Sequence, residues 1–413
     1  MRILARGLLL ALTAAFGMSA PAVPAPAPRL ERVVLVMRHG VRPPTAANAE
    51  LDKLSAQPWP AWPVAPGELT PHGAEVVRIV AAGVRAAYAR DGLLPVGRCP
   101  APGAVAIWAD GHDQRTRASG EAFAQAVVAG CGLASRSGPA GEPDPLFGGV
   151  MSAACVIDPA AVEADVRRVA GPSGLTDADA RGALDRLQAI VAPRGCAGGQ
   201  GVCLSGPDAL SAGAKGAKLS GPLPGGASLA EDLFLEYAEG KPAAEVGWGR
   251  ADGAAIAAVM PAHERYAALT RSAPYLAGRR GGLLAGFVLR ALEGRPAPGD
   301  PPVGTRLTVI AGHDTNLSTL QGVFGLSWKL PGQPDSTAPA TALAFELWRE
   351  PDGRERVRTR VFYLPLEAMR GLDRKAAAEA PVTSSCGPKG CELTALRAAY
   401  EARTPEGCRT AGR

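Results

Sequence analysis

Residues 33–45 read VVLVMRHGVRPPT. Val33–Met37 is a β-branched, apolar run of the kind that forms a buried strand. It stops at Arg38-His39-Gly40, and Arg42 and two prolines follow. Open α/β sheets bind ligands outside the carboxyl ends of their strands. Two cations around an imidazole at such an end point to an anion site. Gly40 lets the backbone approach a ligand closely, and Pro43 and Pro44 stiffen the loop that carries Arg42.

The same grammar recurs outward from this strand. Thr70-Pro71-His72-Gly73 opens a helix through about Ala89, with Thr70 as N-cap and Pro71 in the first turn. Ala104–Ala109 (AVAIWA) is a second strand, leading through Asp110–Arg117 into a helix. Arg306–Ala311 is a third, followed by Gly312-His313-Asp314-Thr315 and another helix, and Thr341–Arg349 and Arg356–Leu364 alternate like strands. Strand, polar turn and helix in repetition predict an α/β fold: a doubly wound, mostly parallel sheet flanked by helices. The Ala-rich stretch 155–285 is helical in pattern and poor in strands. It is expected to be an inserted, mostly helical cap domain, with 31–154 and 286–413 forming the α/β core.

The 413 residues are 47% hydrophobic, which fits a folded chain with sizeable loops. The formal net charge of +5 comes without a dense Lys/Arg run, so nucleic acid is not an expected partner. At the N-terminus, MRILARGLLLALTAAFGMSAPA places two arginines before an apolar stretch too short for a membrane span. That is the layout of a secretory signal, expected over 1–22, with a Pro/Ala linker over 23–30. The chain is therefore expected to be periplasmic or secreted, without a stable membrane anchor. In such a compartment the eight cysteines, Cys99, Cys131, Cys155, Cys196, Cys203, Cys386, Cys391 and Cys408, imply disulfides. Cys196/Cys203 and Cys386/Cys391 are attractive local pairs, each enclosing a Gly-containing loop; spacing alone does not choose among the remaining pairings. There is no C-x-x-C and no H-x-x-x-H, so no zinc site is expected.

Three strand ends carry the chemistry: Arg38, His39 and Arg42; Arg115; and His313-Asp314. Three guanidinium forks can hold a phosphoryl group from several sides. A neutral histidine nitrogen among them can attack phosphorus and form a phosphohistidine. Asp314 can protonate the departing alkoxide and later activate water. With arginines supplying the positive charge, neither a metal nor a cofactor is needed. Read separately, His39 would be a satisfied structural histidine, Asp314 a helix cap and Arg115 a solvated helix-start arginine, with Arg117 as its alternative. Read together, the sharper chemistry prevails.

R-H-G-x-R-x-P, present as Arg38, His39, Gly40, Arg42 and Pro44, together with the distant His313-Asp314, resembles the signatures of the histidine acid phosphatases. PWPAWPV around Trp59, LTPHG at Leu69, the QRT containing Arg115, GWGR at Gly247, AGHDTNL at Ala311 and LPGQPD at Leu330 are similar to its bacterial periplasmic phytase branch. Gly40 and Thr315 follow the phytase form, where the glucose-1-phosphatase branch tends to carry Asn and Ser. The resemblance implies His39 as nucleophile, Asp314 as proton donor, and Arg38, Arg42, Arg115 and His313 as phosphate ligands. It implies a site between an α/β domain and a helical cap, and disulfides Cys99–Cys131, Cys155–Cys408, Cys196–Cys203 and Cys386–Cys391. Thr45, Glu231, His263 and Arg279 fall near substrate-pocket positions of relatives. Two departures stand out: Ala46 follows Thr45 where the phytases often have Lys, and the turn before Arg115 is one residue longer. The expected function is an exported acid phosphomonoesterase, a monomer acting on small phosphate monoesters, with phytate foremost. Ala46 motivates the alternative of a broad or sugar-phosphate phosphatase. A catalytically inactive phosphate-ester binding protein is the alternative from another class; it would not require both His39 and Asp314.

Overall fold

The computed structural model describes residues 27–148 and 153–410. The expected signal segment and the first part of the linker lie outside them. The N-terminal part runs β1 (Arg29–Arg38), a short helix α1 (Asn48–Leu51), α2 (Pro71–Arg90), β2 (Val105–Ala109), α3 (Gln114–Val127) and β3 (Arg136–Ser137). The middle holds α4 (Pro159–Ala170), α5 (Ala178–Val191), a hairpin of β4 (Ala209–Gly213) and β5 (Gly216–Ser220), α6 (Pro222–Ala238), α7 (Gly253–Thr270) and α8 (Pro274–Arg280). The C-terminal part is α9 (Gly282–Glu293), β6 (Leu307–Gly312), α10 (Asp314–Phe324), β7 (Ala342–Arg349), β8 (Glu355–Tyr363), α11 (Leu366–Gly371), β9 (Ala378–Pro381), β10 (Cys391–Glu392) and α12 (Leu393–Arg403).

One sheet organises the α/β part, in the order β10-β8-β7-β1-β6-β2-β3, with β9 also on β8. Strands β1, β6, β2 and β3 run parallel to one another, whereas β7 is antiparallel to β1 and β8 to β7. β1 lies at the centre, and Val33 to Met37 are buried on both faces, as their unbroken apolar run requires. The register matters for function. Arg38 pairs with Gly312, so β1 and β6 end level and their next residues, His39 and His313, emerge side by side.

β1 begins earlier than its apolar run. Arg29 and Leu30 pair with Arg349 and Trp348 on β7, Leu30 is buried, and Glu31 accepts two hydrogen bonds from Arg349, at 2.8 and 3.0 Å. The linker expected to reach residue 30 therefore ends before Arg29: a charged strand end is held by cross-strand ion pairs that an apolar pattern does not register.

α2 starts where its cap predicts, with the Thr70 hydroxyl accepting from Gly73 N at 2.8 Å. Its Val76, Val77, Val80, Val84 and Tyr88 are buried, each such apolar side chain contributing about 1.5–3 kcal/mol on burial. The expected boundary at 285 falls inside α9. That helix packs on β1 and β7 through a buried face including Phe287, Val288 and Leu292, so it belongs with the sheet as one unbroken unit. α5, α6 and α7 pack on one another. Disulfides join Cys99–Cys131, Cys155–Cys408, Cys196–Cys203 and Cys386–Cys391. No described helix is long and apolar enough to cross a membrane.

Candidate active site

The end of β1 delivers the first group. Arg38 is wholly buried and His39 is 2% exposed. His39 is pinned through its backbone: its N–H donates to Gly312 O at 2.9 Å, and its carbonyl accepts from Ala340 N at 2.9 Å. Its Nδ1 lies 2.8 Å from the Gly40 carbonyl. A carbonyl only accepts, so Nδ1 carries the proton and Nε2 keeps its lone pair. Burial, and then the charges of Arg42, Arg38 and Arg115, hold the imidazole well below its ordinary pKa. His39 is thus a neutral base in a cationic setting.

Gly40 has no room for a side chain: an added Cβ would lie 2.3 Å from Gly73 O. The close approach expected at Gly40 is to a ligand; in the structure it is to the first turn of α2. Arg42 donates to Pro43 O at 3.0 Å. Arg115, at the start of α3, donates to Asp113 Oδ2 at 2.7 Å and Gly67 O at 3.3 Å. In the turn before Arg115 the Gly111 carbonyl accepts from Gly141 N and Arg117 Nη1. It is Arg115, not Arg117, whose charge acts on His39. Among the described residues, the Nε atoms of Arg38, Arg42 and Arg115 are buried without a protein partner.

β6 and α10 supply His313 and Asp314. The His313 N–H donates to Asn316 Oδ1 at 2.9 Å, so Asn316 closes the helix start, while Asp314 Oδ1 accepts from Thr315 N at 2.9 Å and leaves Oδ2 to Arg271. The His313 ring stands edge-on to His39, centroids 5.8 Å apart, and its Nε2 donates to Asp110 Oδ2 at 2.8 Å. Asp110 is pushed up by burial but ends below the usual carboxylate range through its bonds from His313 and His112 N. Asp314 is paired with Arg271. Burial pushes Asp314 up, yet the charges of Arg271 and then Arg38 outweigh it and hold it well below the usual range.

The opposite wall comes from α6 and α7. Glu231 bonds Arg38 and lies 3.7 Å from Arg42 Nη2. Burial works against its charge, but Arg38, Arg42 and His263 bring it down to about 2. His263 is buried, with Nδ1 3.3 Å from Ala227 O, and ligand atoms of Glu231, His263 and Asp314 lie within 4.8 Å of one another. Asp110, Asp113 and His313 form a second such group. In the first, arginines already sit on both carboxylates; in the second, Arg115 sits on Asp113 and Asp110 is taken up by His313 and His112 N, so neither set suits a metal.

The expected residues divide. Arg38, His39, Arg42, Arg115, His313, Asp314, Glu231 and His263 converge. Thr45 is exposed and lies at the rim, against Gly67 beside Arg115. Arg279 does not converge. It lies over the Tyr275 ring at 3.3 Å and donates to Val156 O, because Pro274 starts a new helix that carries it away. The arginine on this wall is Arg271, just past α7. Sequence reasoning missed it, and missed Asp335, which accepts from Arg38 Nη1 at 3.0 Å. Asp335 lies within the LPGQPD stretch, which carried a signal; Arg271 lies in no motif.

The model of the histidine phosphatase superfamily (branch 2) matches residues 29–178 and 228–363, and the chain belongs to this family. The chain is 33% identical to phytase AppA of Escherichia coli (strain K12), over 98% of this chain and 94% of that one. It is 25% identical to the glucose-1-phosphatase of Salmonella typhimurium, over 89% of each. Among solved structures, Hafnia alvei phytase in complex with myo-inositol hexakis sulphate has 30% identity and a TM-score of 0.84, over 95% of this chain and 100% of that one. The phytase from Citrobacter braakii has 29% identity and a TM-score of 0.83, over 93% and 100%.

Proposed function

We propose that this protein is an exported, periplasmic acid phosphatase that hydrolyses phosphate monoesters, phytate foremost, through a phosphohistidine on His39. The observation that carries the reading is a buried, neutral imidazole with its Nε2 lone pair free, surrounded by Arg38, Arg42 and Arg115 and facing Asp314. The helices α4–α8 act as the cap under which the substrate is held.

In the first step His39 Nε2 attacks phosphorus, and the bond from phosphorus to the ester oxygen breaks as the N–P bond forms. The leaving oxygen takes the proton of Asp314. The arginines hold the non-bridging oxygens throughout, with no reorganisation needed at the moment of transfer. In the second step water attacks phosphorus, the N–P bond breaks, and the water's proton returns to Asp314. Free of substrate, Asp314 is ionised by Arg271 and Arg38. A bound phosphate competes for those cations and adds negative charge beside the carboxylate, so it pushes Asp314 up toward the donor form. Acid medium completes the protonation while His39 stays neutral.

The test is phosphate release from phytate at mildly acidic pH in EDTA, beside His39→Ala. Release that the variant abolishes supports the reading, and activity rising steadily into alkaline pH contradicts it. A second reading, a sugar-phosphate or broad phosphatase, is favoured by Ala46, which removes a cation from the loop after Thr45, and by the glucose-1-phosphatase relative. Comparing kcat/KM for phytate, glucose-1-phosphate and p-nitrophenyl phosphate separates the two.

A further inference from the structure

We infer that Glu264 is a positioning residue for phosphate binding, acting from behind the site through Ser336 and Asp335 on Arg38. This rests on the reading of Arg38 as a phosphate ligand. α7 puts His263 in the site and the next residue, Glu264, against the loop after Pro334. There Glu264 Oε1 accepts from Ser336 N at 2.9 Å, and the Ser336 hydroxyl, 3.1 and 2.9 Å from the two carboxyl oxygens, donates to one of them. The Ser336 carbonyl accepts from Trp328 Nε1 at 2.7 Å.

The residues on either side of Ser336 clamp Arg38. Asp335 Oδ2 and Thr337 O both accept from Arg38 Nη1, at 3.0 and 2.8 Å. Asp335 Oδ1 in turn accepts from Thr337 N at 2.8 Å and its hydroxyl at 3.0 Å. Behind Ser336 lies an open pocket of about 360 Å³, whose lining includes Glu264, Ser272, Gln321, Trp328, Ser336 and Arg403. On that side the loop is tied by its bonds to Glu264 and Trp328. A guanidinium fork binds phosphate well only while its plane is held. Loosening the loop therefore weakens ground state and transition state together.

The charge of Glu264 fits this role. Burial and Asp335 push the carboxyl up to about 7, against the bonds from Ser336 and the charge of His263. Arg403 also lines the pocket, and the α10 residues there, Ser318, Gln321 and Gly322, are uncharged. In acid the carboxyl is neutral, and glutamine copies that form.

Inorganic phosphate is the probe, as competitive inhibitor of p-nitrophenyl phosphate hydrolysis at mildly acidic pH. Glu264→Ala is expected to raise the phosphate Ki and the KM together by about tenfold, the scale of a lost buried hydrogen bond, with kcat changed far less. Glu264→Gln recovers most of the loss, because its amide oxygen still accepts from Ser336 N. Ser336→Ala, which removes the hydroxyl alone, gives a smaller rise and carries the test if Glu264→Ala does not fold. An unchanged Ki in the folded variants overturns the inference, as does a glutamine variant no better than alanine at equal Tm. Arg38→Lys, run in parallel, separates the two readings. A raised Ki there with none in Glu264→Ala removes the Glu264 clasp alone. No rise in either removes Arg38 as a phosphate ligand, and the inference with it.

Discussion

The two walls of the site are built in opposite ways. The sheet wall draws Arg38, His39 and Arg42 from five consecutive residues and adds Arg115 and His313 from neighbouring strand ends. The helix wall takes Glu231 from α6, His263 from α7 and Arg271 from the turn beyond it. One wall is cationic and fixed by strand register; the other is mixed in charge and fixed by helix packing. Asp314 belongs by position to the first and by electrostatics to the second, since Arg271 is the strongest charge upon it. On the function proposed above, the two walls divide the labour: the sheet wall would hold the phosphoryl group, and the helix wall would set the proton that leaves with the alcohol.

Substitutions on each wall can break that division. His39→Ala should cost the most, at least about 10⁴-fold in kcat/KM, as loss of a nucleophile does. Asp314→Asn should cost about 10²–10⁴-fold on phytate, whose alkoxide needs a proton, and much less on p-nitrophenyl phosphate, whose leaving group does not. Equal losses on both substrates would refute the donor role. Arg271→Gln should cost less than either. With its strongest cation gone, Asp314 rises, so the acid-side optimum in a pH–rate profile should move toward neutral. An unmoved profile would place Arg271 with the binding groups instead.

Stability offers a comparison of the same kind. Glu231 and Glu31 are held near 2, so the stability they contribute is lost as pH falls through that value. Glu239 and Glu264 are raised to about 7 and Glu236 to about 8, mainly by burial. The folded form keeps these protons after the unfolded chain has released them near 4.5, so stability falls as pH rises from there toward 8. His39 and His72, lowered chiefly by burial, oppose the trend, but only below about 6.5. Urea midpoints should therefore be higher near pH 4.5 than near pH 7.5, and the reverse order would contradict the assignment. The smallest effect is expected at Ala340, whose φ of 60° is strained for any residue with a Cβ. Ala340→Gly relieves that strain but frees the unfolded chain, so it should shift stability by less than about 1 kcal/mol in a thermal melt.

The sheet wall was legible because its chemistry is contiguous. A strand places neighbouring residues at its end whatever the rest of the chain does, so VVLVMRHGVRPPT announces both strand and site. Thr70 and Pro71 likewise announce α2. The helix wall was legible only through likeness to relatives, which pointed to Arg279 and gave no sign of Arg271. Both arginines lie in polar, Ala-rich sequence, and only the break at Pro274 decides which one faces the site. The two-residue strands β3 and β10 carry too little pattern to be read, and the charged start of β1 is set by partners on β7. Glu264 and Asp335 have meaning only as neighbours in space, which no spacing along the chain reveals.

Three of the four disulfides join cysteines adjacent in the sequence, and Cys155–Cys408, 253 residues apart, does not. Consider a chain emerging N-terminus first into an oxidising compartment. Cys155 is exposed to oxidation while its partner is still untranslocated, and Cys196 and Cys203 arrive long before Cys408. An oxidant that joins thiols as they appear would link Cys155 to Cys196 and put every later cysteine out of step. Correct pairing therefore requires the thiol of Cys155 to be sheltered or its first bond to be exchanged. In such a compartment production of this enzyme should be limited by a disulfide isomerase, and replacing Cys155 and Cys408 together should lift that limit at a cost in resistance to unfolding.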